Sequence, residues 1–168
     1  VNKAVEAGIP VVTVDADLPD SKRVAFVGTI NIEAGRVCAR TLVKLTGGKG
    51  KVAFMTIPGQ SNLEDRMIGY KEELAKHPEI EVVQTVDVQG DPTVAAQMAA
   101  TLLQKYPDLA ALACVEAVGG AGAAVAVKEA GKAGQVKILS MDRGNEVLQF
   151  IEEGVISATI VQQTALMP

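Results

Sequence analysis

Tryptophan is absent from the 168 residues, histidine occurs once and cysteine twice. The lone histidine, His77, sits in AKHPE at the end of a helical segment, on the sheet edge away from the strand tips. A Ser–His or Cys–His nucleophile therefore has little support. No His/Cys/carboxylate spacing suits zinc and no DxDxDG loop suits calcium, so no metal, cofactor or catalytic residue is expected. Cys38 shares a helical face with Ala34, Val37, Thr41 and Leu45, which favours buried free thiols over a disulfide with Cys114. Two cysteines in a domain of this size do not fix a redox compartment. The formal charge is −4 and the basic residues are scattered. Phosphate backbones need a concentrated positive surface, so nucleic acid is not an expected partner, nor is a membrane surface. No apolar run approaches the roughly 20 residues of a membrane helix. The longest, around residues 110–127, is broken by Glu116 and three glycines, so the chain does not read as an integral membrane protein.

What is present is a soluble globular composition, 48% apolar and 21% charged. The length suffices for one full core and part of another. Apolar segments at 11–15, 24–29, 51–56, 80–88, 110–115, 136–141 and 156–160 read as strands. Helical patterns at 31–46, 62–76, 92–106, 119–130 and 145–153 alternate with them. Asn31 can cap the first of these helices, and Asp91 with Pro92 opens the third. Gly8, Gly131 and Gly154 close helical segments where a left-handed residue is favoured. Strands separated by helices of a dozen or so residues predict right-handed βαβ units, hence an α/β fold: a doubly wound parallel sheet in a three-layer sandwich. The boundary between its two parts falls near residues 29–31. Val1 begins inside an amphipathic segment and Pro168 follows QQTALM without a closing element, so the chain is expected to be a fragment.

The strand tips carry the chemistry. Asp15, Glu116 and Asp142 each follow an apolar strand, and Gln162 lies just past the last one. Arg66 stands one turn into the helix after PGQSN, from where its guanidinium can reach back over the strand ends. In an open parallel sheet the carboxyl ends of the strands face one crevice, so these side chains should converge. One carboxylate accepts from two neighbouring hydroxyls, and a guanidinium donates to hydroxyl oxygens, so the set suits a polyol. Each residue alone also fits a plainer role: Asp15, Glu116 or Asp142 as a helix cap or turn residue, Arg66 as a surface partner of Glu64, Asp65 or Glu73. GGAGAAV, residues 119–125, follows a strand and opens a helix, with Asp142 where a ribose-binding acid would lie. This is the dinucleotide-enzyme alternative. The third glycine is missing, and Glu116 would meet the pyrophosphate with like charge, so small residues for close packing explain the run better. GGKGK precedes a strand instead of a helix and reads as a connector.

The segments AGIPVVTVDADLPDSKRVAFVGTINIEAG, GQSNLEDRMIGYKEEL, GDPTVAAQMAATLLQKYPDLAAL, GAAVAVKEAGKAGQVKILSMDR and IEEGVISATIVQQ resemble, in order and over essentially the whole chain, the ribose-binding-protein-like group of periplasmic sugar-binding proteins. These type I, lactose-repressor-like proteins are substrate receptors of ABC importers, with two doubly wound lobes joined by crossing segments and closing over a sugar. The resemblance implies that residues 1–29 end the first lobe and approach the hinge, 30–161 form the second lobe, and 162–168 return toward the first. It implies sugar contacts for Asp15, Arg66, Asp142 and Gln162, and places Glu116 where the family commonly has Asn or Asp. Ile30 stands where an Asp is usual. Phe26, Phe54, Tyr70, Tyr106 and Phe150 all sit in apolar patterns and read as core, so aromatic platforms for a sugar would have to come from outside this chain.

The implied function is non-catalytic recognition of a sugar or polyol, with an ABC permease as partner. The implied location is periplasmic or extracytoplasmic, lipid-anchored in a Gram-positive source. The alternative within the same fold is the effector domain of a lactose-repressor-family regulator. Such domains usually carry a GFDD-like strand end and an LTTV-like segment, where this chain has SMDRGNEV and GVISATIVQQ.

Overall fold

The computed structural model describes residues 1–164. A short helix α1 (Asn2–Glu6) precedes strands β1 (Val12–Val14) and β2 (Ala25–Val27), which pair in parallel as a separate two-stranded sheet. The remaining elements are α2 (Asn31–Thr46), β3 (Gly50–Thr56), α3 (Ser61–Leu74), β4 (Ile80–Asp87), α4 (Pro92–Lys105), β5 (Leu109–Cys114), α5 (Ala117–Glu129), β6 (Lys137–Met141), α6 (Asn145–Glu152) and β7 (Ala158–Ile160). Strands β3 to β7 form one parallel sheet in the order β4-β3-β5-β6-β7. This is the doubly wound α/β arrangement that the alternation of segments predicts. Among the described residues no helix is long and apolar enough to cross a membrane.

Each face of the sheet carries its own core. Cys38, Leu42, Leu63, Tyr70 and Leu74 of α2 and α3 pack with Val52, Phe54, Ala113 and Leu139 on one side. Ala95, Ala99, Leu102, Ala123, Val127 and Val147 of α4, α5 and α6 pack with Ala53, Met55, Leu112 and Ile138 on the other. Successive residues of β3 thus go to opposite cores, and the strand reads as a continuous apolar run because both faces are covered. Asp91 caps α4 by accepting from the Thr93 and Val94 amides at 2.7 and 3.1 Å, with Pro92 in the first turn.

GGAGAAV is a packing device. A Cβ at Gly120 would overlap the Ser140 hydroxyl on β6, and one at Gly122 would lie 2.6 Å from the Ala95 Cβ and 2.7 Å from the Pro92 carbonyl oxygen. α5 lies against β6 on one side and α4 on another because these residues have no side chain in the way.

The structure revises three local expectations. α5 begins at Ala117, ahead of residue 119, because Glu116 caps it. Asn31 is not the cap of α2. It is the first helical residue, its side chain turns inward, and Ile30, 79% exposed, holds the cap position without a side-chain hydrogen bond. Of the aromatics, Phe54 and Tyr70 are core, meeting edge to face with centroids 4.9 Å apart. Tyr106 and Phe150 are only partly buried against the core. Phe26 lies outside it, lining a groove of about 570 Å³ with Asp17, Thr29, Asn31 and Asn62. Both cysteines are free and buried, as expected.

Candidate functional site

The chain runs from β3 outward to β4 and then returns to place β5 on the other side of β3. The direction of winding reverses there, so the helices after β3 and β5 leave on opposite faces and a crevice opens between the two strand tips. Arg66, on α3 after β3, spans it. Its Nη1 donates to the carbonyl oxygen of Val115, directly after β5, at 3.1 Å. Its Nε donates to Asn31 Oδ1 at 2.8 Å and its Nη2 to Gln162 Oε1 at 3.0 Å. Only 3% of Arg66 is exposed. It is not the surface arginine that its acidic neighbours in sequence allowed.

All three partners of this buried cation are neutral oxygens. Burial pulls the Arg66 pKa down from the ordinary arginine value, while the carboxylates of Asp142 and Asp15 act in the opposite sense. The Asp142 link is indirect, because Gln162 Nε2 donates to both carboxylate oxygens of Asp142, at 3.0 and 3.3 Å, and so bridges anion and cation. Asp142 is held from both sides in a left-handed conformation, φ 63°. Its amide donates to the Ile160 carbonyl oxygen at 2.8 Å, and its own carbonyl oxygen accepts from the Thr159 hydroxyl at 2.6 Å. A positive φ costs most residues energy but suits aspartate better than a branched side chain. Asp15 ends β1 in the same way, φ 67°, its amide donating to Val27 at 3.1 Å, but its side chain is exposed.

Glu116 is buried at the N-terminus of α5, where its carboxylate accepts from the Val118 amide at 2.5 Å and the Gly119 amide at 2.6 Å. Burial raises its pKa above the ordinary 4.5, the two amides oppose that, Asp142 adds to the rise and Arg66 offsets part of it. The folded state therefore binds a proton more readily than the unfolded chain. Stability from this group is present below pH 4.5 and is lost as pH rises through the higher folded value. Glu116→Gln keeps one capping oxygen and removes the charge. It is expected to flatten that segment of the stability–pH profile, measured as the urea midpoint between about pH 4 and 7. An unchanged profile would assign the slope to other groups.

Arg66, Glu116, Asp142 and Gln162 are thus gathered at one set of strand tips, with Asp15 on the exposed end of β1. Residues 165–168 of the expected return segment lie outside the described residues. Sequence reasoning missed Thr29, whose hydroxyl donates to Gln162 Oε1 at 2.7 Å, and misread Asn31, which joins Arg66 Nε to the Thr29 carbonyl oxygen, its Nδ2 donating at 3.1 Å. A polar pair at the boundary between the two sheets was the available signal. Across that boundary the Ser61 hydroxyl also donates to the Asp17 carbonyl oxygen at 3.2 Å. The dinucleotide alternative is overturned here. The N-terminal amides of α5 that would hold a pyrophosphate are already taken by the Glu116 carboxylate.

Residues 1–167 match the periplasmic binding protein domain, and the chain belongs to that family. The D-allose-binding periplasmic protein of Escherichia coli K12 is 30% identical over 174 residues, which cover 98% of this chain and 56% of that protein. The crystal structure of a sugar-binding protein of a sugar ABC transporter from Bacillus halodurans is 42% identical with a TM-score of 0.88, over 96% of this chain and 56% of that one. An ABC transporter solute-binding protein from Burkholderia graminis in complex with D-arabinose is 33% identical with a TM-score of 0.95, over 99% and 59%. The chain therefore spans a little over half the length of the proteins that it resembles.

Proposed function

We propose that this chain is most of the second lobe, with the end of the first, of a non-catalytic sugar receptor for an ABC importer. The observation that carries the reading is the Arg66–Gln162–Asp142 relay at the switch point between β3 and β5. Arg66 has N–H groups beyond the three in use, and the Asp142 carboxylate has lone pairs beyond those facing Gln162. A hydroxyl group is the ligand atom that accepts from the first and donates to the second. Similarity to proteins named for allose, and to a structure holding arabinose, supports the same ligand class. Residues 1–29 belong to the first lobe, 30–161 to the second, and 162–168 return toward the first. The complete protein works outside the cytoplasm, lipid-anchored where the source is Gram-positive, and delivers its sugar to a permease.

Glu116 contributes by capping the N-terminus of α5 and setting the field at Asp142, and Asp15 contributes from the facing lobe. Binding energy then comes from contacts made by both lobes together, since a ligand shifts an open–closed equilibrium only by its differential affinity for the two states. A thermal-shift screen of pentoses, hexoses and inositols on the full-length receptor, followed by calorimetry, tests this. Asp142→Asn should weaken the Kd about tenfold or more, the scale of one hydrogen bond to a charged group. Unchanged affinity would remove Asp142 from the site. Micromolar binding by the isolated 168-residue chain would contradict the two-lobe requirement.

A further inference from the structure

We infer that Thr29 is a positioning residue of the ligand site, acting through Gln162. The inference rests on the receptor reading above and adds to it a residue on the linking segment between β2 and α2. Thr29 and Gln162 are 133 residues apart in sequence, yet the threonine hydroxyl reaches Gln162 Oε1 at 2.7 Å. The same oxygen takes Arg66 Nη2 at 3.0 Å. An amide oxygen has lone pairs for two donors, and both are now used.

Arg66 and Asp142 fix which way the amide faces, and the hydroxyl adds a second donor on its oxygen side. Turning it over would set its NH₂ against the guanidinium and its oxygen against the Asp142 carboxylate, so donor would face donor and acceptor would face anion. Nε2 therefore addresses Asp142, at 3.0 and 3.3 Å from its two carboxylate oxygens. Without the hydroxyl, Gln162 Oε1 keeps Arg66 alone, and the half-buried side chain, still tied to Arg66 and Asp142, loses its anchor on the segment between the sheets.

The main chain of Thr29 is tied into the same ring. Asn31 Nδ2 donates to the Thr29 carbonyl oxygen at 3.1 Å, and Asn31 Oδ1 accepts from Arg66 Nε at 2.8 Å. Thr29, Asn31, Arg66 and Gln162 therefore close a circuit, with one residue on the segment between the sheets touching it twice. Asn31 is buried inside this circuit, so substituting it would damage folding as well as binding. Thr29 is only half-buried, and valine preserves its branched shape.

Calorimetry on the full-length receptor with the sugar identified by the thermal-shift screen tests the inference as a cycle. Thr29→Val should weaken the Kd about tenfold in the wild-type background and less than about twofold in a Gln162→Leu background. Thr29→Ser, which restores the hydroxyl, should return affinity to within about twofold of wild type. Unchanged binding in Thr29→Val, or an equal loss with and without Gln162, overturns the inference while leaving the receptor reading intact. If the wild type binds no sugar, the receptor reading fails. The same cycle on the urea midpoint of ligand-free protein then still judges the contact: non-additive effects support the coupling, and additive ones refute it.

Discussion

Replacing Arg66 by methionine in the full-length receptor is expected to weaken sugar binding by more than about a hundredfold and to lower folding stability by about 2–4 kcal/mol. Methionine retains an apolar stem in the buried channel but supplies no donor. Asn31 Oδ1 and the Val115 carbonyl oxygen each lose the Arg66 N–H that satisfies them, and Gln162 Oε1 keeps only the Thr29 hydroxyl. Orphaned buried acceptors cost more than the hydrogen bonds they once made were worth in net terms. The electrostatic consequence has a sign of its own. Arg66 offsets the rise in the Glu116 pKa, so its removal leaves Glu116 and Asp142 facing one another and pushes Glu116 further up. The stability deficit of Arg66→Met should therefore be larger at pH 7 than near pH 5, about where an ordinary glutamate begins to protonate. Arg66→Lys restores charge but not the planar fork that reaches three acceptors at once, so it should recover only part of the affinity. Urea unfolding at the two pH values, with calorimetry on the folded variants, checks all of this. A Met variant that bound sugar as tightly as wild type would make Arg66 a structural strut and remove it from the site.

The sheet was legible in the sequence because its signals are local and repeated. Each apolar run is followed by a loop and a helical pattern, and Asp91–Pro92, Gly131 and Gly154 punctuate the helices where backbone geometry requires them. The convergence of Arg66, Glu116, Asp142 and Gln162 was also legible, because winding direction alone sends every strand tip to one side. The partners within that crevice were not. Asn31 has the composition of a helix cap, and only tertiary packing shows that its amide is drawn inward to Arg66 while Ile30 takes the cap position. Thr29 has no sequence signal beyond its position, because its partner is more than a hundred residues away. Glu116 was ambiguous for a different reason. A carboxylate before a helix serves equally as ligand contact and cap, and the hydrogen bonds to Val118 and Gly119 assign the cap without excluding the contact.

A methyl group at Gly69 or Gly35 should do damage far beyond its size. The ideal Cβ of Gly69 would fall on the Ile32 carbonyl oxygen and that of Gly35 on the Arg66 carbonyl oxygen, each well inside contact distance. The atoms in the way are backbone, which cannot rotate aside as a side chain can. α3 would therefore have to lift from α2, and the expected loss for Gly69→Ala is about 3 kcal/mol, at the upper end for overpacking. The crossing also sets the site. Asn31 and Gly35 lie one turn apart on α2, Arg66 and Gly69 about one turn apart on α3, so the contact that brings the backbones together also brings Asn31 Oδ1 to Arg66 Nε. Separation by even an ångström breaks a hydrogen bond of that length. Sugar affinity of the folded Gly69→Ala receptor should thus fall about tenfold or more along with stability. Gly122→Ala supplies the contrast. It crowds Ala95 and Pro92 on the opposite face of the sheet, between α5 and α4, away from Arg66. It should destabilise to a similar degree while the fraction that remains folded binds sugar normally. If the two variants lose affinity in equal proportion to their stability, the α2–α3 crossing has no special hold on the site, and Arg66 is positioned by β3 and β5 alone.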